Sequence, residues 1–312
     1  MTRFAFVFPG QGSQSVGMLD GWGEHPAVRQ TLDEASSALG EDVRALIHDG
    51  PKEQLDLTTN TQPVMLAAGI ACYRVWLAET GLAPSLVAGH SLGEYTALVA
   101  AGALTLADAL PLVRFRAQAM QDAVPVGTGA MAAILGMEAQ SVRDGCIAVA
   151  AASGEVVEAV NFNDPKQTVI AGTKAGVEQA IVALKAQGAK RALALPVSAP
   201  FHSSLMKLAA ERLKARLADT AIAAPTIRVV NNVDVQIESD PMRIRDALYR
   251  QAFAPVRWVE VVQAMRTLGI THVVECGPGR ALAGMVKRID PDAVTANVLD
   301  MESLAEARGL LS

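Results

Sequence analysis

The sequence predicts an α/β protein with a hydrolase-like, mainly parallel sheet flanked by helices and an inserted ferredoxin-like small domain of β-α-β-β-α-β order. Three observations lead there. Short apolar runs alternate with helix-period segments through most of the 312 residues. An apolar run over 86–88 stops at Gly89, and a helix-forming run over 92–101 begins directly after Ser91. That is strand, tight turn and helix with a serine at the apex, the Gly-x-Ser-x-Gly nucleophile elbow. Between residues 127 and 198 the rhythm changes to four short strands and two helices. The expected division is a large domain from 1–126 with 199–312, and a small domain at 127–198.

Taken in order, residues 4–8 read as a buried strand running into Pro9-Gly10-Gln11-Gly12-Ser13-Gln14, a polar glycine-rich loop. It is no dinucleotide fingerprint, because the third glycine falls at the wrong spacing. Glycine lets such a loop bring its N–H groups close to a reacting atom. Helices are expected over 26–39 and 61–79, the second with Thr61 as cap and Pro63 in its first turn. After the elbow a helix is expected over 105–122, its apolar stripe being Leu106, Leu110, Val113, Ala117 and Met120. Arg114 and Arg116 flank that stripe about 160° apart, and periodicity leaves open which one turns inward.

The small domain is read as strands over 130–135, 156–161, 168–171 and 191–195, with helices over 138–144 and 174–187. Gly127-Thr128-Gly129 and residues 196–200 serve as hinges, and Asn161-Phe162-Asn163-Asp164-Pro165 as the turn between the middle strands. His202 follows the second hinge, at the start of a helix reaching about 218. A strand over 229–231, helices over 240–253 and 258–268, a strand over 272–275, a structural Gly277-Pro278-Gly279 turn, a helix over 280–289 and a strand over 294–298 complete the chain.

Composition narrows the function. The net charge of -5 and the lack of a basic run argue against nucleic acid. The most apolar stretch, 64–78, is interrupted by Arg74, so no membrane span is expected, and the N-terminus is too short for a signal peptide. Cys72, Cys146 and Cys276 are far apart, which suits a reducing cytoplasm, and neither they nor the five histidines have metal-ligand spacing.

A serine hydroxyl needs a base within hydrogen-bond reach. His90 adjoins Ser91, but neighbours at a tight elbow point apart; His202 lies far enough along the chain to be brought in by folding. With this elbow the oxyanion hole takes one N–H from the residue after the nucleophile and one from another strand–helix loop. Leu92 and Gln11 fit those places. No acid stands out as a third member, and a backbone carbonyl can orient the histidine instead. The set supports acyl transfer through an acyl-serine, to water or to another acceptor.

Over nearly its whole length the chain resembles the malonyl-CoA:acyl carrier protein transacylases of bacterial fatty acid synthesis. The resemblance rests on six pieces in this order: Phe6-Val7-Phe8-Pro9-Gly10-Gln11-Gly12-Ser13-Gln14; Gly89-His90-Ser91-Leu92-Gly93-Glu94-Tyr95; Gly129-Ala130-Met131-Ala132-Ala133; Val160-Asn161-Phe162-Asn163; Pro196-Val197-Ser198 with His202; and Glu275 with Gly277-Pro278-Gly279. It implies a ping-pong transferase in which Ser91, activated by His202, takes malonyl from malonyl-CoA and passes it to the phosphopantetheine thiol of acyl carrier protein. It further implies that Arg116, not Arg114, grips the free malonyl carboxylate, with Gln11 also at the substrate. The main-chain carbonyl of Gln251 would orient His202, so side-chain changes at Gln251 should be mild. By resemblance to related polyketide acyltransferases, Phe201 favours malonyl over methylmalonyl. The carrier protein is acidic, so docking calls for a local basic patch, with Lys185, Lys190, Arg191, Lys207, Arg212, Lys214 and Arg216 as candidates. A monomer with no tightly bound cofactor and no metal is expected. The competing reading is a serine esterase or thioesterase, which would use the same Ser91 and His202 without needing Arg116.

Overall fold

Residues 3–197 and 199–311 are described by the structure, a computed structural model; Ser198, within the stretch expected as the second hinge, lies outside the described residues. The first strand, β1 (Phe4–Phe8), is apolar and buried at all five positions, as a strand covered on both faces must be. Helices α1 (Pro26–Leu39), α2 (Val43–His48), α3 (Lys52–Leu55) and α4 (Thr58–Thr80) lead to β2 (Leu86–Gly89), α5 (Gly93–Ala100) and α6 (Leu106–Asp122). Then come β3 (Gly129–Leu135), α7 (Ala139–Ser153), β4 (Val157–Asp164), β5 (Gln167–Thr173), α8 (Lys174–Ala186) and β6 (Arg191–Ala194). The chain finishes with α9 (Lys207–Ala218), β7 (Arg228–Val230), α10 (Pro241–Gln251), α11 (Trp258–Thr267), β8 (His272–Cys276), α12 (Ala281–Ile289), β9 (Val294–Val298) and α13 (Met301–Leu311).

The larger sheet has the order β7-β2-β1-β8-β9, and every pairing in it is parallel. Alternation along β1 assigns its two faces. Phe4, Phe6 and Phe8 enter a core with Tyr73 and Trp76 of α4, while Ala5 and Val7 face Trp258, Val261 and Leu282. The smaller sheet, order β4-β5-β3-β6, is antiparallel throughout. That is the strand order of the ferredoxin-like unit. Its α7 and α8 cover one face, and Met131, Ala133, Val160, Val169 and Ala171 line the other with Leu195, Val197 and Phe201. The smaller sheet is tied to the connection between α10 and α11, where Val256 N donates to Val160 O at 2.8 Å and Phe162 N donates to Val256 O at 3.0 Å.

Several boundaries differ from expectation. Helix α4 starts three residues early, with Leu57 at its N-cap; Thr61 does not cap it, and its Oγ1 donates back to the carbonyls of Leu55 and Leu57. Pro63 then lies inside the helix, near enough the N-terminus to cost a single backbone bond. Helix α7 continues to Ser153 rather than stopping at 144, through an alanine-rich run. Gly145 is a packing position inside it, where a Cβ would come 2.5 Å from Leu184. Strand β4 absorbs Asn161, Phe162, Asn163 and Asp164, which therefore do not form a turn. Helices α2, α3 and α13 carry no strong periodicity and were not anticipated. Among the described residues no helix is long and apolar enough to cross a membrane.

Candidate active site

The elbow is held by two close crossings. A Cβ on Gly89 would sit 1.9 Å from the carbonyl carbon of Gly93, and one on Gly93 would sit 2.0 Å from Phe8 O. No side chain larger than hydrogen fits either place. Between them Ser91 takes a positive φ of 52°, a strained value for a non-glycine residue. Asn232 clamps the turn. Its Oδ1 accepts from Ser91 N at 2.7 Å, its Nδ2 donates to Gly89 O at 2.7 Å, and its own N–H donates to Glu94 Oε2 at 2.9 Å.

His202 reaches Ser91 from the segment after the small sheet. It does not open a helix: it has a φ of 65°, and a short 3-10 turn, Ser204–Met206, separates it from α9. Its Nε2 lies 2.7 Å from Ser91 Oγ, and its Nδ1 lies 2.8 Å from Gln251 O. A carbonyl only accepts, so Nδ1 carries the proton and the Nε2 lone pair faces the serine. Burial, reinforced by the Arg116 cation, pushes the imidazole pKa down to about 3, so it is neutral and able to accept. His90 points elsewhere: its Nε2 meets Asn163 Oδ1 at 2.8 Å and its ring packs edge-on against Trp258.

Of the two arginines on α6, Arg114 turns outward to pair with Glu41, and Arg116 turns inward and is 2% exposed. Arg116 Nη1 donates to Gln62 Oε1 at 2.8 Å; Nη2 donates to Gln251 Oε1 at 3.0 Å and to Ser91 Oγ at 3.3 Å. The guanidinium lies 5.4 Å from the Tyr95 ring centre. It forms no ion pair among the described residues, and its Nε has no partner.

Gln11, Gln62, Ser91, Leu92, Arg116, Phe201 and His202 line one cavity of about 120 Å³, walled on the small-sheet side by Met131, Leu195 and Val197. Gln11 is tethered by its Nε2 to Thr58 Oγ1 at 3.2 Å. Leu92 is the N-cap of α5, at the positive end of the helix dipole; the N–H groups of Gly93, Glu94 and Tyr95 after it bond to the carbonyls three residues back. A larger cavity, about 510 Å³, lies between α1 and α2, but its Arg29, Arg44 and His48 are paired with Glu24, Asp33 and Asp20 and no nucleophile lines it. Among the described residues no group of three or more histidines, cysteines or acids is arranged for a metal.

The sequence matches the acyl transferase domain family over residues 5–297. The chain belongs to the acyl transferase family. Within that family it is 54% identical to the malonyl CoA-acyl carrier protein transacylase of Escherichia coli (strain K12), over 98% of this chain and 99% of the other. An acyl-carrier-protein S-malonyltransferase structure from Burkholderia pseudomallei 1710b is 63% identical with a TM-score of 0.97, covering 99% of this chain and 100% of that one. A malonyl-transacylase in complex with a type II polyketide synthase acyl-carrier protein is 50% identical with the same TM-score of 0.97, over 99% of this chain and 100% of that one.

In this acyl transferase four features escaped the sequence reading. Gln62, Glu94 and Asn232 were not singled out, and Gln251 was assigned only its carbonyl. The Gln251 side chain is in fact buried and bonded at both ends, donating to Ser91 O at 3.0 Å and to Glu94 Oε2 at 2.9 Å while accepting from Arg116. The expectation that changes to it are mild therefore does not hold on geometric grounds. Glu94 stands two positions past Leu92, inside the quoted motif; only its burial, which raises its pKa to about 7, marks it out.

Proposed function

We propose that this protein moves malonyl from malonyl-CoA to the phosphopantetheine thiol of acyl carrier protein in fatty acid synthesis, by a ping-pong route through a malonyl-serine. The observation that carries this reading is Arg116. A buried cation with no carboxylate partner, 3.3 Å from the nucleophile, is costly unless the substrate supplies the anion. An esterase for neutral acyl groups has no use for it.

His202 Nε2 takes the Ser91 proton as Oγ attacks the thioester carbonyl. The negative charge on the carbonyl oxygen falls to the N–H groups of Leu92 and Gln11. The imidazolium formed is oriented by Gln251 O and returns its proton to the departing coenzyme A sulfur. The carrier-protein thiol then attacks the malonyl-serine by the same steps reversed. Arg116 holds the free carboxylate with its guanidinium, and Phe201 limits room beside it. No metal or bound cofactor is required, and a cytoplasmic setting suits both substrates.

Residues 127–198 act in this reading as a small domain that walls the acyl pocket. The carrier protein docks on a basic patch drawn from this domain and from α9. Arg212 is paired with Asp122, and Lys214 lies over the Tyr249 ring, which leaves Lys185, Lys190, Arg191, Lys207 and Arg216 as the stronger candidates.

Mixing with malonyl-CoA, quenching rapidly and measuring intact mass tests the reading. A malonyl adduct on the parent that is absent from Ser91→Ala, and that moves to added holo acyl carrier protein, is the expected result. Steady release of free malonate with no transfer would favour the esterase.

A further inference from the structure

Gln251 ends α10 and is fully buried, with its carbonyl engaged by His202. Its side-chain amide stands between the buried Arg116 guanidinium and the buried Glu94 carboxyl, which is ionised above about pH 7. Oε1 accepts from Arg116 Nη2 at 3.0 Å, and Nε2 donates to Glu94 Oε2 at 2.9 Å and to Ser91 O at 3.0 Å. Both amide hydrogens and the oxygen are in use, and the orientation is set from both sides. Ser91 O and the carboxylate accept only; the guanidinium donates only. A flipped amide would lose all three bonds.

Apart from Gln251, Arg116 is restrained by one bond to Gln62, a longer one to Ser91 Oγ, and the Tyr95 face. Without the intervening amide, a flexible guanidinium and a carboxylate in this low-dielectric interior attract strongly. Their direct pairing would use the fork that a substrate carboxylate needs. Resting on the reading that Arg116 binds the malonyl carboxylate, we propose that the Gln251 side chain is a specificity-determining positioning residue. It keeps Arg116 apart from Glu94 and aimed at the pocket, and so sets the preference for acyl groups ending in a carboxylate over those ending in a methyl.

The test is competition between malonyl-CoA and acetyl-CoA in one tube, read as the ratio of the two adducts by intact mass; a misfolded fraction affects both equally and cancels. Gln251→Ala is expected to lower the malonyl:acetyl ratio by roughly tenfold or more, as displacement of a binding group by about 1 Å does. Gln251→Met, of similar volume without the amide, should do the same and serves if the alanine variant fails to fold. Adding Glu94→Gln to Gln251→Ala removes the competing charge and should bring the ratio back toward the parent value. An unchanged ratio in both single variants, or a double variant no better than Gln251→Ala, overturns the proposal. If the parent itself shows no malonyl preference, or Arg116→Ala keeps it, the functional reading fails with it.

Discussion

Arg116 Nη2 lies 3.3 Å from Ser91 Oγ, which joins the proposed nucleophile directly to a buried cation. Two hydrogen bonds from that cation to a substrate carboxylate are worth about 3 kcal/mol together at the low end. Arg116→Ala should therefore slow malonyl loading roughly a hundredfold or more, with acetyl loading affected much less. Arg116→Lys should remain well below the parent, because an ammonium lacks the planar fork. Rapid-quench loading rates for both acyl groups check this; equal losses for both would remove the arginine from carboxylate recognition.

Gly89 and Gly93 cross at distances that leave no space for a methyl group. Gly89→Ala should abolish malonyl loading and cost at least about 3 kcal/mol of stability, since the obstructing atoms are backbone and cannot step aside. Urea titration beside intact-mass loading measures both, and a fully stable variant that still loads would show that the elbow tolerates a wider crossing.

Phe201 is half-buried at the wall of the cavity that holds Ser91, beside Met131 and Val197. Phe201→Ser should raise the use of methylmalonyl-CoA relative to malonyl-CoA. One methyl in a pocket is worth ~1–3 kcal/mol, so the gain is at least about tenfold at most sites and stays below ~200-fold. Unchanged ratios of the two adducts would mean that the extra methyl lies elsewhere.

His202 and Glu94 respond to pH with opposite signs. His202 is pushed from 6.5 to about 3, so between those values the unfolded chain holds a proton that the folded chain does not, and stability falls as pH falls through that window. Glu94 is pushed from 4.5 to about 7, so the folded chain holds the extra proton, and stability falls as pH rises through that window. Glu94→Gln deletes the second effect. From pH 4.5 to 7 the variant should gain up to about 3 kcal/mol relative to the parent. Urea titrations at pH 5 and 7.5 give the comparison, and a constant difference would place the Glu94 pKa in the ordinary range. The serine-loading rate should also show no histidine inflection near pH 6.5.

Arg191 opens β6 with Lys190 directly before it, and Lys207 and Arg216 lie on α9, all exposed. Reversing their charges should raise the KM for acyl carrier protein several-fold while malonyl loading from malonyl-CoA stays as it was; the effect should shrink with added salt. Loading that falls in parallel would mean that these residues serve the fold or coenzyme A instead of docking.

Much of this was legible along the chain because it is local. The period-2 alternation of Phe4, Phe6 and Phe8 against Ala5 and Val7 assigns both faces of β1, and two glycines around a serine between strand and helix define the elbow. Those patterns report on neighbours a few residues away, and short-range sterics suffices to read them. Which arginine of α6 enters the site is another matter. Arg114 and Arg116 sit on opposite flanks of one stripe, and the choice depends on Glu41, Gln62 and Gln251, which come from three distant segments. The same holds for Asn232, whose bonds to Glu94, Ser91 and Gly89 span 138, 141 and 143 residues of chain. The sequence by itself determined the fold class and the candidate nucleophile, through periodicity and backbone sterics. The tertiary structure alone decided where each buried charge finds its partner, because desolvation and hydrogen-bond geometry depend on what packs around a group and not on what precedes it.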